Sequence, residues 1–171
     1  METSGEYDRF VRSRTPSLLR SAYLLTGDQH LAEDLVQTAL ARTHRAWSRL
    51  RESGNAEAYA RRVMYHLQVS WWRRSRVPET LSGWVPDRPG PFDPGDRIAV
   101  RTTLRQALAR LTASQRAVLV LRFFEDRSEA ETAEVLGVSV GTVKSQTSRA
   151  LQRLRKVAPE LADLYLVGGQ R

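Results

Sequence analysis

The sequence predicts an all-α protein in which two small helical domains are joined by a proline-rich linker. Residues that favour helix abound (Ala, Leu, Arg, Glu and Gln), and only 8% of the 171 residues are aromatic. Apolar residues recur every three or four positions on both sides of the linker, which is the spacing of helices with one buried face. With 41% hydrophobic residues, the chain can bury a core, and its length suits one domain or two of roughly 70–80 residues each.

Three helices are predicted before the linker. The first covers about residues 6–25 and stops at Gly27. The second begins at Asp28, whose side chain suits a helix N-cap, and runs to Trp47. The third covers about residues 55–76. Together they form a first domain, assigned to residues 1–76.

The linker is assigned to residues 77–96, which hold five of the seven prolines and three of the ten glycines. Proline removes backbone donors and restricts its neighbours, so this density excludes helix and central strand and predicts a semi-extended segment. Trp84 and Phe92 within it either fasten the linker to a domain or dock on a partner. We expect the two domains to fold independently and to move in the free protein, so that limited proteolysis within the linker releases two stable fragments.

The second domain, residues 97–171, starts with a helix marked by apolar residues up to Leu111. Thr112 and Gln115 have the form of a capping box that opens a helix over residues 118–124. The tail "PELADLYLVGGQR" is apolar enough to dock, although its docking site is open.

A helix-turn-helix follows. Ser128 and Glu131 form a second capping box for a short helix, residues 128–136. Gly137 suits the left-handed position that ends it, and Ser139 caps the last helix, residues 140–157. Two helices joined by a three-residue turn with glycine predict a helix-turn-helix (winged-helix-like) DNA-binding domain.

The side of the last helix that faces away from its apolar residues is polar and cationic. Lysine and arginine can bond guanine, glutamine can pair with adenine, and serine or threonine can bond bases or phosphate. No acidic residue occurs in the 19 residues from Val140 to Ala158. A helical hairpin with a solvated face explains the periodicity but not this absence. The candidate DNA contacts are Thr142, Lys144, Ser145, Gln146 and Arg149, with Arg153, Arg155 and Lys156 toward phosphates.

The net charge of +8 is divided unevenly along the chain. Residues 1–76 hold 13 basic and 8 acidic residues (+5), residues 77–96 hold 1 and 4 (−3), and residues 97–171 hold 13 and 7 (+6). Two basic blocks on either side of an acidic connector are typical of a protein that approaches a polyanion with both blocks, although a soluble cationic protein would show the same total.

Several functions are excluded or disfavoured. The chain has no cysteine, so disulfides, thiolate metal sites and thiol redox sensing are excluded. Its three histidines are far apart and lack carboxylates at ligand spacing, so we expect neither metal nor cofactor. We find no glycine-rich phosphate loop and no nucleophile–base pair, so an enzyme is not expected. No apolar run approaches the roughly 20 residues of a membrane span, so we expect a cytoplasmic protein without membrane insertion.

Two long stretches resemble the extracytoplasmic-function (ECF) sigma factors of the sigma-70 family. "LTASQRAVLVLRFFEDRSEAETAEVLGVSVGTVKSQTSRALQRLR" is similar to their region 4. "LLRSAYLLTGDQHLAEDLVQTALARTHRAW" and "AYARRVMYHLQVSWWRR" are similar to their region 2. A helix-turn-helix alone is shared with many regulators, but "AEDLVQ" together with "GVSVGTVKSQ" is specific to this family. Within the family, the sequence most resembles an actinobacterial SigE-like subgroup.

The resemblance implies a transcription initiation factor that binds core RNA polymerase, through its clamp helices and flap, and promoter DNA. The last helix would read the −35 element through Lys144, Ser145 and Arg149. An anti-sigma factor is a further partner that the resemblance suggests. The second helix would bind the clamp, where Thr38 stands in place of the family's usual glutamate. The residues assigned to this contact are Asp34, Leu35, Gln37 and Thr38.

The third helix would melt the −10 element, because opening DNA needs cations for displaced phosphates and aromatic faces for unstacked bases. At most two of its aromatic residues are expected to touch DNA, and one of the two adjacent tryptophans is expected in the core. His66 stands where the family commonly has asparagine beside the captured base. The residues assigned to this surface are Arg61, Arg62, Arg73, Arg74, Arg76, Tyr59, Tyr65, His66, Trp71 and Trp72.

Two other interpretations remain open from the sequence. A stand-alone transcriptional regulator would bind operator DNA without polymerase, and tight binding of promoter duplex by the purified protein would support it. An adaptor would bind polymerase without reading DNA. A neutral outer face on the last helix would have favoured this interpretation, but that face is cationic.

Overall fold

The part of the protein that the computed structural model describes contains helices joined by short turns and no strand, which confirms the predicted all-α class. It describes residues 2–74, 96–159 and 161, with side chains for residues 5–52, 54–71, 102–159 and 161. A π-helical turn, Val120–Phe124, extends the sixth helix. The helices of these ranges are α1 (Glu2–Thr26), α2 (Gln29–Arg45), α3 (Trp47–Ser53), α4 (Ala56–Arg74), α5 (Asp96–Ala109), α6 (Ala113–Leu119), α7 (Glu129–Leu136) and α8 (Val140–Val157).

Some of the sequence predictions lie outside the described residues. They concern the linker with Trp84 and Phe92, Arg76, and the tail beyond Leu161. The side chains of Trp72, Arg73 and Arg74 are likewise outside the described part.

The predicted helix starts are confirmed by their capping bonds. The side chains of Asp28, Thr112, Ser128 and Ser139 each accept a hydrogen bond from the backbone N–H three residues later. At Thr112 and Ser128 the bond is reciprocated, so both predicted capping boxes are present. Gly137 ends α7 with φ of 66°, a left-handed conformation that glycine adopts without steric cost.

Two local features differ from the prediction. The predicted second helix ends at Arg45, because Ala46 leaves helical geometry (φ −101°, ψ 5°), and a helix that was not predicted, α3, follows until Gly54. The helix predicted over residues 118–124 is α6 followed by the π-helical turn, in which the N–H of Glu125 bonds the carbonyl of Val120 at 2.9 Å. This hydrogen bond joins residues five positions apart instead of four, so the side chains after it point in other directions than in an α-helix. Such π-helical turns often occur at functional positions.

The described helices form two units that pack directly on each other. The first unit, α1–α4, and the second unit, α5–α8 with the π-helical turn, each contain buried apolar residues of their own. However, Ala117, Val120 and Leu121 of the second unit lie in the same buried cluster as Leu18 and Met64 of the first. The structure therefore differs from the expectation of two domains that move freely, because separating them would expose these side chains to water.

The buried side chain of Arg116 joins the two units by hydrogen bonds. Its side chain is only 3% exposed, and burial lowers its pKa to about 10, so it stays protonated at neutral pH. The guanidinium donates to the carbonyls of Leu108, at 2.9 Å, and Leu111, at 3.3 Å. It also donates to the carbonyl of Leu25, which lies in the last turn of α1 in the other unit. One buried cation on α6 thus joins the last turn of α1 to the end of α5 and the residues that follow it.

We expect Arg116→Met to lower the free energy of unfolding by about 1–3 kcal/mol, because three buried carbonyls lose a charged donor. Arg155→Met removes the same charge from an exposed position of α8 and is the matched control, with a change within about 0.5 kcal/mol. Urea denaturation followed by circular dichroism measures both. Equal effects of the two substitutions would contradict the joining role of Arg116.

Candidate nucleic-acid interface

The recognition helix α8 separates an apolar side from a polar one as predicted. Val143, Ala150 and Leu154 are buried against the rest of the second unit. Val138, in the turn before α8, is 39% exposed. Gln146 is half-buried, and the other predicted contacts of this helix are exposed, namely Thr142, Lys144, Ser145, Arg149, Arg153, Arg155 and Lys156.

The exposed side chains of α8 differ in how far the protein itself occupies them. Arg153 donates through Nε to the carbonyl of Arg110 at 2.6 Å, and Ser145 donates to the carbonyl of Thr142 at 3.0 Å. Lys144 lies 3.7 Å from Glu129, a long pair between exposed side chains that contributes little stability. Arg149 makes no hydrogen bond or ion pair with the residues that the structure describes. Its guanidinium, like that of Arg155, is therefore presented to solvent without an internal partner in those ranges.

Two residues of the predicted −10 surface of α4 are buried. Tyr65 is fully buried, and its hydroxyl donates to Glu125 at 2.8 Å. Arg61 is 9% exposed and lies 3.1 Å from Glu57 and 2.8 Å from Glu125. The assignment of Tyr65 and Arg61 to DNA contact is therefore wrong for this conformation, because neither reaches the surface.

His66 and Arg62, by contrast, are exposed on α4. The Nε2 atom of His66 nevertheless lies 3.0 Å from the carbonyl oxygen of Val135 in α7, so the imidazole is in contact with the helix-turn-helix. Gly137 also lies close to this imidazole, because a Cβ atom at that position would be 3.4 Å from Cε1 of His66. The second unit thus reaches across the part of α4 that carries His66.

The aromatic residues of α4 are mainly structural in this conformation. Tyr59 is half-buried and packs with Trp47 and Leu50. Trp71 is half-buried against the large cluster that the two units share. This agrees with the expectation that most aromatic residues at helical spacing serve the core.

The residues assigned to polymerase divide between the surface and the core. Asp34 and Gln37 are exposed and lie three residues apart on α2, so they point in similar directions. Leu35 is fully buried in the core, which contradicts its assignment to a polymerase contact. Thr38 is half-buried and donates its hydroxyl to the carbonyl of Asp34 at 2.8 Å. The periodic spacing of Leu35 with the other apolar residues of α2 was a sequence signal for the core.

Glu125 is a residue that sequence reasoning did not select. Its side chain is 6% exposed, and it contacts Ser21, Arg61 and Tyr65 of the first unit. An acidic residue after two exposed phenylalanines gives no local sign of burial, so only the fold reveals it.

Two negative observations apply to the described ranges alone. Within residues 2–74, 96–159 and 161, no group of three or more histidine or acidic side chains is placed to hold a metal ion. Among the helices of those ranges, none combines the length and the apolar character that crossing a membrane requires.

Comparisons with known proteins agree with this geometry. The family model for sigma-70 region 2 matches residues 10–77, and that for sigma-70 region 4 matches residues 101–154. RNA polymerase sigma-E factor of Streptomyces coelicolor is 44% identical over 151 residues, which cover 88% of this chain and 85% of that protein. ECF RNA polymerase sigma factor SigE of Mycolicibacterium smegmatis is 32% identical over 155 residues, covering 87% and 60%.

A solved structure is similar over both units. The sigma factor RpoE of Bartonella quintana, crystallised with the anti-sigma factor NepR, matches with a TM-score of 0.66 and 25% identity over 89% of this chain and 96% of that one. The chain belongs to the sigma-70 family, as an ECF sigma factor of the SigE-like type. It directs RNA polymerase to specific promoters and initiates transcription.

Proposed function

We propose that the second unit reads the −35 element through α8, that α4 captures the melted −10 strand, and that α2 holds the polymerase clamp. The observation that carries this proposal is the exposed, acid-free face of α8, which a capped turn places at the protein surface. A helix presented in this way fits the major groove, where the N-terminal part of a recognition helix meets base edges.

Within α8 the described contacts suggest a division of roles. Arg149, which has no internal partner in the described ranges, is proposed to bond guanine edges. Thr142, Lys144 and Ser145 lie nearer the start of the helix and are proposed to contact bases or phosphates. Arg153 is bonded to a backbone carbonyl, and we assign it with its cationic neighbours to the phosphates, which position the helix without specifying sequence.

The polymerase contact is proposed for the exposed edge of α2 that carries Asp34 and Gln37. Thr38 lies on the same helix, but its hydroxyl is bonded to the chain, so it offers less than the glutamate that the family usually has there. Leu35 supports this edge from the core rather than touching the partner.

The melting function is proposed for α4, with Arg62 and His66 exposed on its surface. Trp71 packs on the core, so of the two adjacent tryptophans it is the one that we assign to the fold. We assign Trp72 to stacking on an unpaired base, with Arg73 and Arg74 holding displaced phosphates.

Partners follow from the same proposal. Because promoter DNA and core polymerase are in the cytoplasm, we expect the protein to act there. We assign any catalytic turnover to polymerase and not to this chain. The solved structure of similar fold is a sigma factor with its anti-sigma factor, so we also propose an anti-sigma partner for this chain.

The stand-alone regulator is not favoured, because the first unit matches sigma region 2. Sequencing of transcripts made in vitro by Streptomyces coelicolor core polymerase with this chain tests the function, and absence of promoter-specific starts would refute it.

Arg149→Ala should cost about 1–3 kcal/mol of discrimination between −35 variants, because a base-reading guanidinium is lost. Arg155→Ala, the control on the same helix, should weaken binding evenly across sequences and reduce the salt dependence of binding by roughly one counterion. Holoenzyme binding to a panel of −35 variants at several salt concentrations measures both. An unchanged ranking of the variants with Arg149→Ala would show that another face of α8 meets DNA.

Asp34→Arg should reduce capture of core polymerase at least tenfold, because a cation replaces an anion at the proposed clamp contact. Glu52→Arg makes the same charge change at an exposed position of α3 and should leave capture unchanged. Pull-down with the purified variants, with helical content checked by circular dichroism, measures this. Equal capture by the two variants would move the clamp site away from α2.

Trp72→Ala should lower transcription from duplex promoters far more than from templates already mismatched at −10. Stacking of a base on an aromatic side chain is worth roughly 1–3 kcal/mol, and a premelted template no longer needs that contribution for opening. Trp71→Ala is the neighbouring control and should affect both templates alike, because Trp71 supports the core. If premelted templates failed to rescue Trp72→Ala, its role would be structural.

A further inference from the structure

Val140 is an apolar side chain at the start of the recognition helix. It is the first residue of α8, directly after the capping residue Ser139, and it is 38% exposed. Single apolar side chains at a protein surface are common and by themselves indicate nothing. The position of Val140 is informative, however, because the N-terminal residues of a recognition helix are the ones that meet base edges in the major groove.

The hydroxyl groups near Val140 are engaged within the protein. The Ser139 hydroxyl oxygen accepts a hydrogen bond from the N–H of Thr142 at 3.1 Å and lies 2.9 Å from the Thr142 hydroxyl. The Ser145 hydroxyl donates to the carbonyl of Thr142 at 3.0 Å. Val140 has no polar group in its side chain, so it can offer only apolar surface to a molecule that approaches this end of α8.

Gly141 leaves the surface beside Val140 without a side chain. Its φ is not positive, so its conformation does not require glycine. A Cβ atom at this position would be in ordinary contact with Ser139 Oγ, at 3.8 Å, so there is room for a side chain as well. Glycine inside a helix is destabilising relative to alanine. The fold therefore gives no reason for glycine here, whereas close approach of a base pair to the first turn of α8 does.

The base edges in the major groove carry one apolar group, the 5-methyl group of thymine, among hydrogen-bond donors and acceptors. A valine at the groove can therefore distinguish thymine from the other bases by burying that methyl group. We propose that Val140 reads the 5-methyl group of a thymine in the −35 element. The proposal rests on the proposed function of α8 and adds a specificity-determining residue to it.

Val140 and Arg149 cannot meet the same base pair. They are nine positions apart on α8, which is about 13 Å along the helix axis. Successive base pairs lie about 3.4 Å apart along the duplex. The −35 element should therefore combine an A·T pair that is read through its methyl group with a separate G·C pair that is read by Arg149.

Replacement of thymine by deoxyuridine tests this contact, because the two bases pair alike with adenine and differ only in the 5-methyl group. The probe is a promoter duplex from the strongest start site that the full chain directs with Streptomyces coelicolor core polymerase. Each thymine of its −35 element, on either strand, is replaced in turn by deoxyuridine. Fluorescence anisotropy measures the affinity of the holoenzyme for each duplex.

With the parent chain, replacement of one particular thymine should lower the affinity about fourfold, as expected for burial of a single methyl group. Val140→Ser removes the apolar surface and should bring the thymine-to-deoxyuridine affinity ratio at that position close to one. Val140→Ala keeps one methyl group and should give an intermediate ratio. A new hydrogen bond from the serine would act on both duplexes alike, so it would not change the ratio.

Val157→Ser is the matched control. Val157 is 40% exposed at the other end of α8, about 25 Å from Val140 along the helix axis, and its substitution should keep the ratio near four. Circular dichroism should show the helical content of the parent chain for every variant. If Val140→Ser lost helical content, Val140→Ala would decide, because alanine is the better helix former.

A ratio that stays near four in both Val140 variants would overturn the proposal. A parent holoenzyme that is insensitive to every replacement, or a −35 element without an A·T pair, would do the same. If Arg149→Ala still changed the ranking of −35 variants in these cases, the proposed function of α8 would stand without a role for Val140. If Arg149→Ala left that ranking unchanged as well, the proposed function of α8 would fail together with this inference.

Discussion

The arrangement of the two helical units depends on the joint at which Glu125 and Arg116 meet the first unit. Apolar residues of α6 and the π-helical turn enter the core beside α1 and α4, and Arg116 bonds the last turn of α1. The π-helical turn matters because it directs the chain so that Glu125 is buried while Phe124 before it is 50% exposed. Without this turn, the acidic side chain would not face Ser21 and Tyr65.

The chemistry of this joint determines how its stability depends on pH. Burial and the neighbouring Glu125 carboxylate raise the pKa of Tyr65 well above its ordinary value of 10. The phenol therefore remains a proton donor to Glu125 throughout the physiological range of pH, and its contribution to stability is lost only at pH values above 10.

The two proposed DNA surfaces are built in different ways. The −35 surface belongs to one helix with its own cap, so it exists whether or not the units are joined. The proposed −10 surface on α4 lies beside the second unit, because His66 contacts the carbonyl of Val135 in α7. The matches to sigma-70 region 2 and region 4 agree with two such surfaces on one chain.

The sequence by itself determined the all-α class, the capped helix starts, the helix-turn-helix and the outward polar face of α8. These features depend on residues within a few positions of one another, where caps, left-handed glycine and apolar spacing act locally. The same apolar spacing along α2 indicated that Leu35 is buried, whereas the resemblance to the family led to its wrong assignment to the polymerase contact.

Only the tertiary structure decided that Tyr65 and Arg61 are buried and that the two units share a core. Tyr65 and Glu125 lie 60 positions apart, and Ser21 and Glu125 lie 104 apart, so no local pattern connects them. Helical periodicity shows that a face is apolar but not which other face covers it. That choice is made by the packing of the whole chain, because burial depends on which distant surfaces exclude water together.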